Sequence, residues 1–284
     1  MNDPILAINN LCAISDRDRT PILRGVSLTV QRGETRGLVG ESGAGKSTIG
    51  KAVLGILPRA VRVASGEILF QGRNLLTVPE PERRRLIGER IALIPQDPMT
   101  ALNPGRRIEA QLTDGLRLAG ASARVARTKA LQLLDEVRIG EPERVLRAYP
   151  HELSGGMRQR VLIAAAFALD PILIVADEPT TALDVTVQKQ ILRLIRNMQA
   201  AYGAAVLFVT HDLGVVAQVC DSVTLLFDGK VIEDGAVAEM LEAPKHSYTR
   251  ALLEACPRSD RPELGLRPIP PELIARLRRE VAAP

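Results

Sequence analysis

The chain has 284 residues, 46% of them apolar, and a formal net charge of +4, enough for one large or two modest cored domains and too mild a charge to argue for a nucleic-acid binder. Its N-terminus lacks the basic-then-apolar pattern of an export signal, and the apolar runs at 172–176 and 204–209 are far shorter than a membrane span, so a soluble, cytosolic protein is expected. Cys12, Cys220 and Cys256 show no paired ligand spacing, which points away from a disulfide framework or a metal site and towards small buried or surface thiols.

Residues 5–14 and 22–30 read as an opening pair of strands, the second closed by the turn Gln31-Arg32-Gly33. Residues 34–39 form a short strand, and Gly40-Glu41-Ser42-Gly43-Ala44-Gly45-Lys46-Ser47-Thr48 then fits G-x-x-x-x-G-K-[ST] at every fixed position. Its three glycines let the backbone curl so that N–H groups face phosphate oxygens. Lys46 can reach the β- and γ-phosphates, and the Ser47 hydroxyl can ligate Mg²⁺. A glycine-rich turn that binds nothing is the alternative reading. The context argues against it, because a helix over 46–57, closed by Pro58, puts the loop between a strand and a helix N-terminus, where the dipole favours an anion.

Residues 66–72 read as an edge strand, 80–87 as a charged helix whose Arg83-Arg84-Arg85 run is a solvated face, and 91–95 as a buried strand ending at Gln96. From 97 to 170 strand signals vanish, and helices over 106–119 and 123–137 suggest a helical insertion. Continuous apolar runs return at 172–176 and 205–210, the pattern of parallel strands covered on both faces, with a crossover helix over 185–201. Asp228-Gly229 between 222–227 and 230–233 is a two-residue hairpin signal. A helix near 247–254 and a Pro- and Arg-rich tail complete the chain, with no internal repeat.

Asp177-Glu178 closes the apolar run at 172–176. Asp177 can hold Mg²⁺ through water, and Glu178 can reach the water that attacks a γ-phosphate; two idle loop acids are the alternative. His211 follows the next strand directly, so strand order puts it at the same sheet end, where an imidazole can donate to the terminal phosphate, although a lone histidine is usually structural. Gln96 ends its own strand, and its amide suits a group that touches Mg²⁺ and water. In Leu153-Ser154-Gly155-Gly156-Met157-Arg158-Gln159-Arg160, Ser154 can cap a helix whose first N–H groups the two glycines leave bare, a second anion site. Because that site lies in the helical insertion, a head-to-tail dimer is expected, each nucleotide lying between the loop of one subunit and the Ser154-Gly155-Gly156 cap of the other.

Taken together these segments resemble the nucleotide-binding subunit of ATP-binding cassette (ABC) transporters over nearly the whole chain. Gly40 to Thr48 matches Walker A, Gln96 the Q-loop, Leu153 to Gln159 the signature, Ile172 to Glu178 Walker B, Ala182-Leu183-Asp184 the D-loop and His211 the switch. Four segments are similar to the oligopeptide, dipeptide and nickel import branch: Gly40-Glu41-Ser42-Gly43, Gln96 to Pro104, Pro179 to Gln188, and Ala243-Pro244-Lys245-His246-Ser247-Tyr248-Thr249.

The resemblance implies an α/β fold, a P-loop NTPase (RecA-like) core with an antiparallel β subdomain and an inserted α-helical signature subdomain. The expected division is 1–96 as core and β subdomain with Walker A, 97–170 as the helical subdomain, 171–245 as core with Walker B and the switch, and 246–284 as a C-terminal extension. It implies an ATPase using ATP and Mg²⁺, with Glu178, His211 and Gln96 catalytic, Gly40 to Thr48, Ser154, Gly155, Gly156 and Asp184 around the nucleotide, and Ser47, Gln96 and Asp177 at the metal. The implied partners are a second cassette, a paralogue or another copy with a paralogue expected, two transmembrane permease subunits and, indirectly, a solute-binding protein. Nucleic acid is not among them. The place of work is the cytoplasmic face of the bacterial inner membrane, and the solute is a peptide or, in the alternative, nickel or another small solute.

Two departures stand out. No aromatic lies in 11–19, where family members stack one on adenine and where Ile14 or Ser15 falls here; and only Cys256 lies in the tail, so no iron–sulfur centre is expected. A soluble cassette ATPase acting on DNA or ribosomes would carry coiled coils, zinc modules or a second cassette, and a binding module without turnover would lack Glu178.

Overall fold

Strands β1 (Leu6–Ser15) and β2 (Pro21–Val30) pair antiparallel, from Leu6 against Val30 to Ile14 against Pro21, in a computed structural model that describes residues 3–181, 183–255 and 269–282. β3 (Thr35–Gly40) is buried at every position, the polar Thr35 and the charged Arg36 included, and leads through the phosphate loop into α1 (Lys46–Val53). The helix stops short of the expected Leu57 because Gly55 turns to φ 65° and its N–H bonds back to Ala52.

β4 (Val61–Phe70) is longer than the expected 66–72, and it lies between β1 and the two-residue β5 (Arg73–Asn74) in the order β2-β1-β4-β5 instead of forming a free edge. Its first half is largely exposed, so no apolar alternation announced it. Gly66, at φ 99°, lets it cross β1 closely, since a Cβ there would stand 2.5 Å from the Asn10 carbonyl oxygen.

The middle of the chain forms α2 (Glu80–Arg90), β6 (Ile91–Ile94), α3 (Pro98–Ala101), α4 (Ile108–Leu118), α5 (Ala123–Glu136), α6 (Pro142–Arg147), a 3₁₀ turn at Pro150–Glu152, α7 (Gly155–Phe167), β7 (Leu173–Asp177) and α8 (Val185–Tyr202). β6 and β7 pair in parallel, from Ile91 with Leu173 to Ile94 with Ala176. β6 is half-buried at Ala92 and Leu93 instead of buried throughout as expected. α4, α5, α6 and α7 pack on one another around Leu112, Ala126, Ala130, Leu133 and Val145, with the two alanines letting backbones approach. α2 buries no residue, which fits its reading as a solvated face.

β8 (Ala205–Thr210), buried throughout, is followed by α9 (Leu213–Val219), β9 (Ser222–Phe227), β10 (Lys230–Ala236), α10 (Val237–Glu242), α11 (Ser247–Ala255) and α12 (Pro271–Ala282). β9 lies between parallel β3 and antiparallel β10. The hairpin turn has Asp228 at φ 46° and Gly229 at φ 79°, both positive as a type I′ turn requires. α12 was not expected. It packs Leu277 and Val281 into a cluster with Val39, Phe227, Met240 and Tyr248. Cys220 packs where a Cβ on Gly37 would come within 3.2 Å of its sulfur, and burial pushes its thiol up to about 12, an inert core thiol; Cys256 lies outside the described residues.

Contacts divide the chain into two compact units: the residues up to Thr77 together with those from Phe208 on, and Val78–Leu207. Among the described residues no helix is long and apolar enough to cross a membrane.

Candidate active site

The expected site residues fall in both units, the phosphate loop and His211 in the first and the others in the second.

In the first unit the loop is shaped by what it touches. A Cβ on Gly40 would overlap the Leu226 carbonyl oxygen, and Gly43 and Gly45 adopt φ 84° and 95°, which side chains resist. A Cβ on Gly45 would stand 2.6 Å from a Leu23 methyl and 3.1 Å from the Ile22 carbonyl oxygen. Gly229 abuts the same oxygen, and its N–H donates to the Ala44 carbonyl at 3.1 Å. Lys46 is 4% exposed, and its ammonium donates to the Gly40 carbonyl at 2.7 Å and the Glu41 carbonyl at 2.9 Å, which holds the charge inside the curl. Glu41, Ser42 and Gly43 are exposed, whereas Ser47 and Thr48 are half-buried in the first turn of α1. A left-handed cradle, one buried ammonium and a helix N-terminus form a donor set that fits a polyphosphate.

His211 is exposed directly after β8, and Asp212 beside it caps α9 by accepting from Gly214 N at 2.7 Å. At the end of β1, hydrogen bonds from Ser15 and Thr20 hold the Asp18 carboxyl below its usual range, so Ser15 is already engaged within its own turn.

In the second unit, Glu178 stands one residue beyond β7 with φ 47°, a left-handed conformation unusual for a glutamate. Its carboxylate accepts from the Thr181 hydroxyl at 2.8 Å and from the Gln96 amide at 3.4 Å. The register explains the second contact: Ile94 pairs with Ala176, and Gln96 and Glu178 each lie two residues beyond that pair. Asp177 is half-buried at the strand end.

Ser154 caps α7, its hydroxyl accepting from Met157 N at 3.3 Å. A Cβ on Gly155 would meet nothing within 4 Å, whereas one on Gly156 would stand 3.6 Å from a Val187 methyl. Among the described residues nothing therefore requires a glycine at 155. The buried Gln159 donates from its amide to the Pro179 carbonyl at 2.9 Å, which ties α7 to the turn that carries Glu178. Asp184 caps α8 through Thr186 N at 3.0 Å and Val187 N at 2.9 Å, a structural task absent from the sequence reading; Ala182 lies outside the described residues. The structure thus brings Gln96 and Glu178 together. Sequence reasoning missed Thr181 and passed over Gln159, whose roles depend on contacts a pattern does not show.

A family model described as ABC transporter matches residues 23–181. The probable peptide ABC transporter ATP-binding protein of Sinorhizobium fredii is 46% identical over 261 residues, covering 91% of this chain and 78% of that protein. The probable D,D-dipeptide transport ATP-binding protein of Escherichia coli is 49% identical over 250 residues, covering 87% and 76%. Among solved structures, cbiO1 of Clostridium perfringens, part of the ABC transporter complex cbiONQ, superposes with a TM-score of 0.75 at 28% identity, covering 85% of this chain and 92% of its own. A dimeric cassette, MJ0796, in a post-hydrolysis state bound to ADP and phosphate, does so at 0.72 and 26% identity, covering 82% and 98%.

Proposed function

Because this chain belongs to the ABC transporter family and is an ATPase subunit coupled to transport, we propose that it powers import of peptides, or of a related small solute, by a binding-protein-dependent transporter at the cytoplasmic face of a bacterial inner membrane. The names of its relatives support that solute class: besides the peptide and dipeptide proteins, an oligopeptide transport protein of Bacillus subtilis is 45% identical and a glutathione import protein of Escherichia coli 43% identical.

The observation that carries the catalytic reading is Glu178 held at a strand end against Gln96 and Thr181. In the proposed roles Glu178 takes the proton of the attacking water, Gln96 orients that water, and His211 answers to the terminal phosphate. The N–H groups of Gly40 to Thr48 and the Lys46 ammonium bind the triphosphate. Ser47, Asp177 and Gln96 would hold Mg²⁺, which supplies charge neutralisation at the phosphates when bound.

The open space at Gly155 supports a ligand approaching from outside the subunit, and so a head-to-tail pair in which the Ser154-Gly155-Gly156 cap and Asp184 face the nucleotide of the second cassette. The MJ0796 structures, which are dimeric, support a pair of cassettes. That cassette, a paralogue on our reading, would complete the transporter with two permease subunits, and a solute-binding protein would act through them.

The test is to purify the chain with its permease partners and measure ATPase activity with binding proteins loaded with di- and oligopeptides. Stimulation by a peptide-loaded binding protein is expected. Stimulation only by a metal-loaded one would move the assignment to the nickel-type alternative.

A further inference from the structure

The segment Ala243 to Thr249 enters the reading above only as a mark of resemblance, yet it is held firmly. Glu233 of β10 accepts from Lys245 N at 2.9 Å, His246 N at 3.0 Å and the Thr249 hydroxyl at 2.5 Å, so one carboxylate fixes the start of α11. What this anchor presents is Tyr248. Its ring is fully buried and meets Phe227 edge-on, with centroids 5.0 Å apart. Phe227 is the last residue before the Asp228-Gly229 turn, and Gly229 is bonded to the phosphate loop at Ala44.

Among the described residues the buried Tyr248 hydroxyl has no partner at hydrogen-bonding distance, a costly state for a phenol. Burial first, and then the Glu41 carboxylate, raise its pKa, so it remains a neutral donor facing an acid of the loop. A cleft of about 120 Å³, lined by Glu41, Ser42, Gly43, Phe227 and Arg278 of α12 among others, leaves the Glu41 side chain room to move. The Lys46 ammonium donates to the Glu41 carbonyl, and a triphosphate that drew one of its three N–H donors outward would weaken that contact, with the Tyr248 hydroxyl beside the same residue.

We propose that Tyr248 is a positioning residue of the phosphate loop, its buried hydroxyl donating to the Glu41 carboxylate when the loop takes a triphosphate and so tying nucleotide binding to the C-terminal helices. The inference rests on the reading that this loop holds ATP. A hydrogen bond to a charged group corresponds to about tenfold in affinity.

The experiment compares Tyr248→Phe, Glu41→Gln and the double variant in the full chain, measuring KM for MgATP, kcat and thermal unfolding. Tyr248→Phe keeps the packed ring, and Glu41 is exposed, so both variants should fold. Each single variant is expected to raise KM about tenfold with kcat within about twofold, and the double variant to be no worse than the poorer single. Multiplying effects, or a lowered unfolding temperature with KM unchanged, would overturn the proposal. Lys46→Ala serves as the control: if it weakens ATP binding while Tyr248→Phe does not, this inference alone fails, and if neither does, the phosphate-loop reading fails with it.

Discussion

The phosphate loop and the acid cluster are built by opposite means. Around the loop, backbone packs on backbone: Gly40 against the Leu226 carbonyl, Gly45 and Gly229 against the Ile22 carbonyl, and an ammonium at 4% exposure donating to two more carbonyls. Around the half-buried Glu178, the exposed side chains of Gln96 and Thr181 each donate one hydrogen bond, with Gln159 bracing Pro179 beneath. A fixed cradle suits a group that must be bound the same way in every turnover. A re-pairable carboxylate suits a group that must take up a proton and give it back.

The largest test of that contrast is Glu178→Gln. The amide keeps shape but cannot accept the water's proton, so steady-state phosphate release should fall by about a hundred- to ten-thousand-fold while ATP still binds. Near-normal turnover would remove Glu178 from the chemistry. Lys46→Ala should act in the reverse sense, weakening equilibrium ATP binding by about tenfold to a hundredfold, because the cradle loses its buried charge. An unchanged dissociation constant would mean that the backbone alone suffices.

A smaller effect concerns the base. With no aromatic in 11–19 and Ser15 engaged with Asp18, the proposed nucleotide site would hold the phosphates and little else, so GTP should compete with ATP to within about tenfold. Competition binding of the two nucleotides decides this, and a preference for ATP beyond a hundredfold would show that the base is read elsewhere.

The smallest effect concerns acid. Burial alone would raise the Glu233 carboxyl, but the hydrogen bonds from Thr249, Lys245 and His246 overcome it and hold the group below its ordinary 4.5. A depressed folded value contributes stability that is present above about 4.5 and lost as pH falls through the folded value. Thermal unfolding should therefore lose more between pH 7 and pH 4 in the unmodified chain than in Glu233→Gln, and equal losses would separate α11 from this carboxylate.

What could be read from the sequence follows the same divide. The loop, the buried strands and the Asp228-Gly229 turn were legible because each is encoded in consecutive residues, and the turn angles of 46° and 79° are those its residue types favour. Gln96 and Glu178 were legible as strand ends, but their equal offset from the Ile94–Ala176 pair needed the register. α12 was hidden by its arginines, although Leu277 and Val281 have helical spacing. Gln159 and Tyr248 were visible only as members of resembling segments and their tasks were not, since a buried amide or phenol acquires its task only from what tertiary packing sets beside it.

The shared Ile22 carbonyl has a further consequence, for transplantation. A nine-residue graft of Gly40 to Thr48 into another scaffold would carry the donors but not the wall they lean on. That wall is a strand carbonyl with room for two glycines and nothing larger, one supplied within the graft and one from the distant hairpin at Gly229. The portable unit is three separate pieces of chain, the loop, the start of β2 and the β9–β10 turn, and a host that presents alanine at the last of them would receive the motif without its shape.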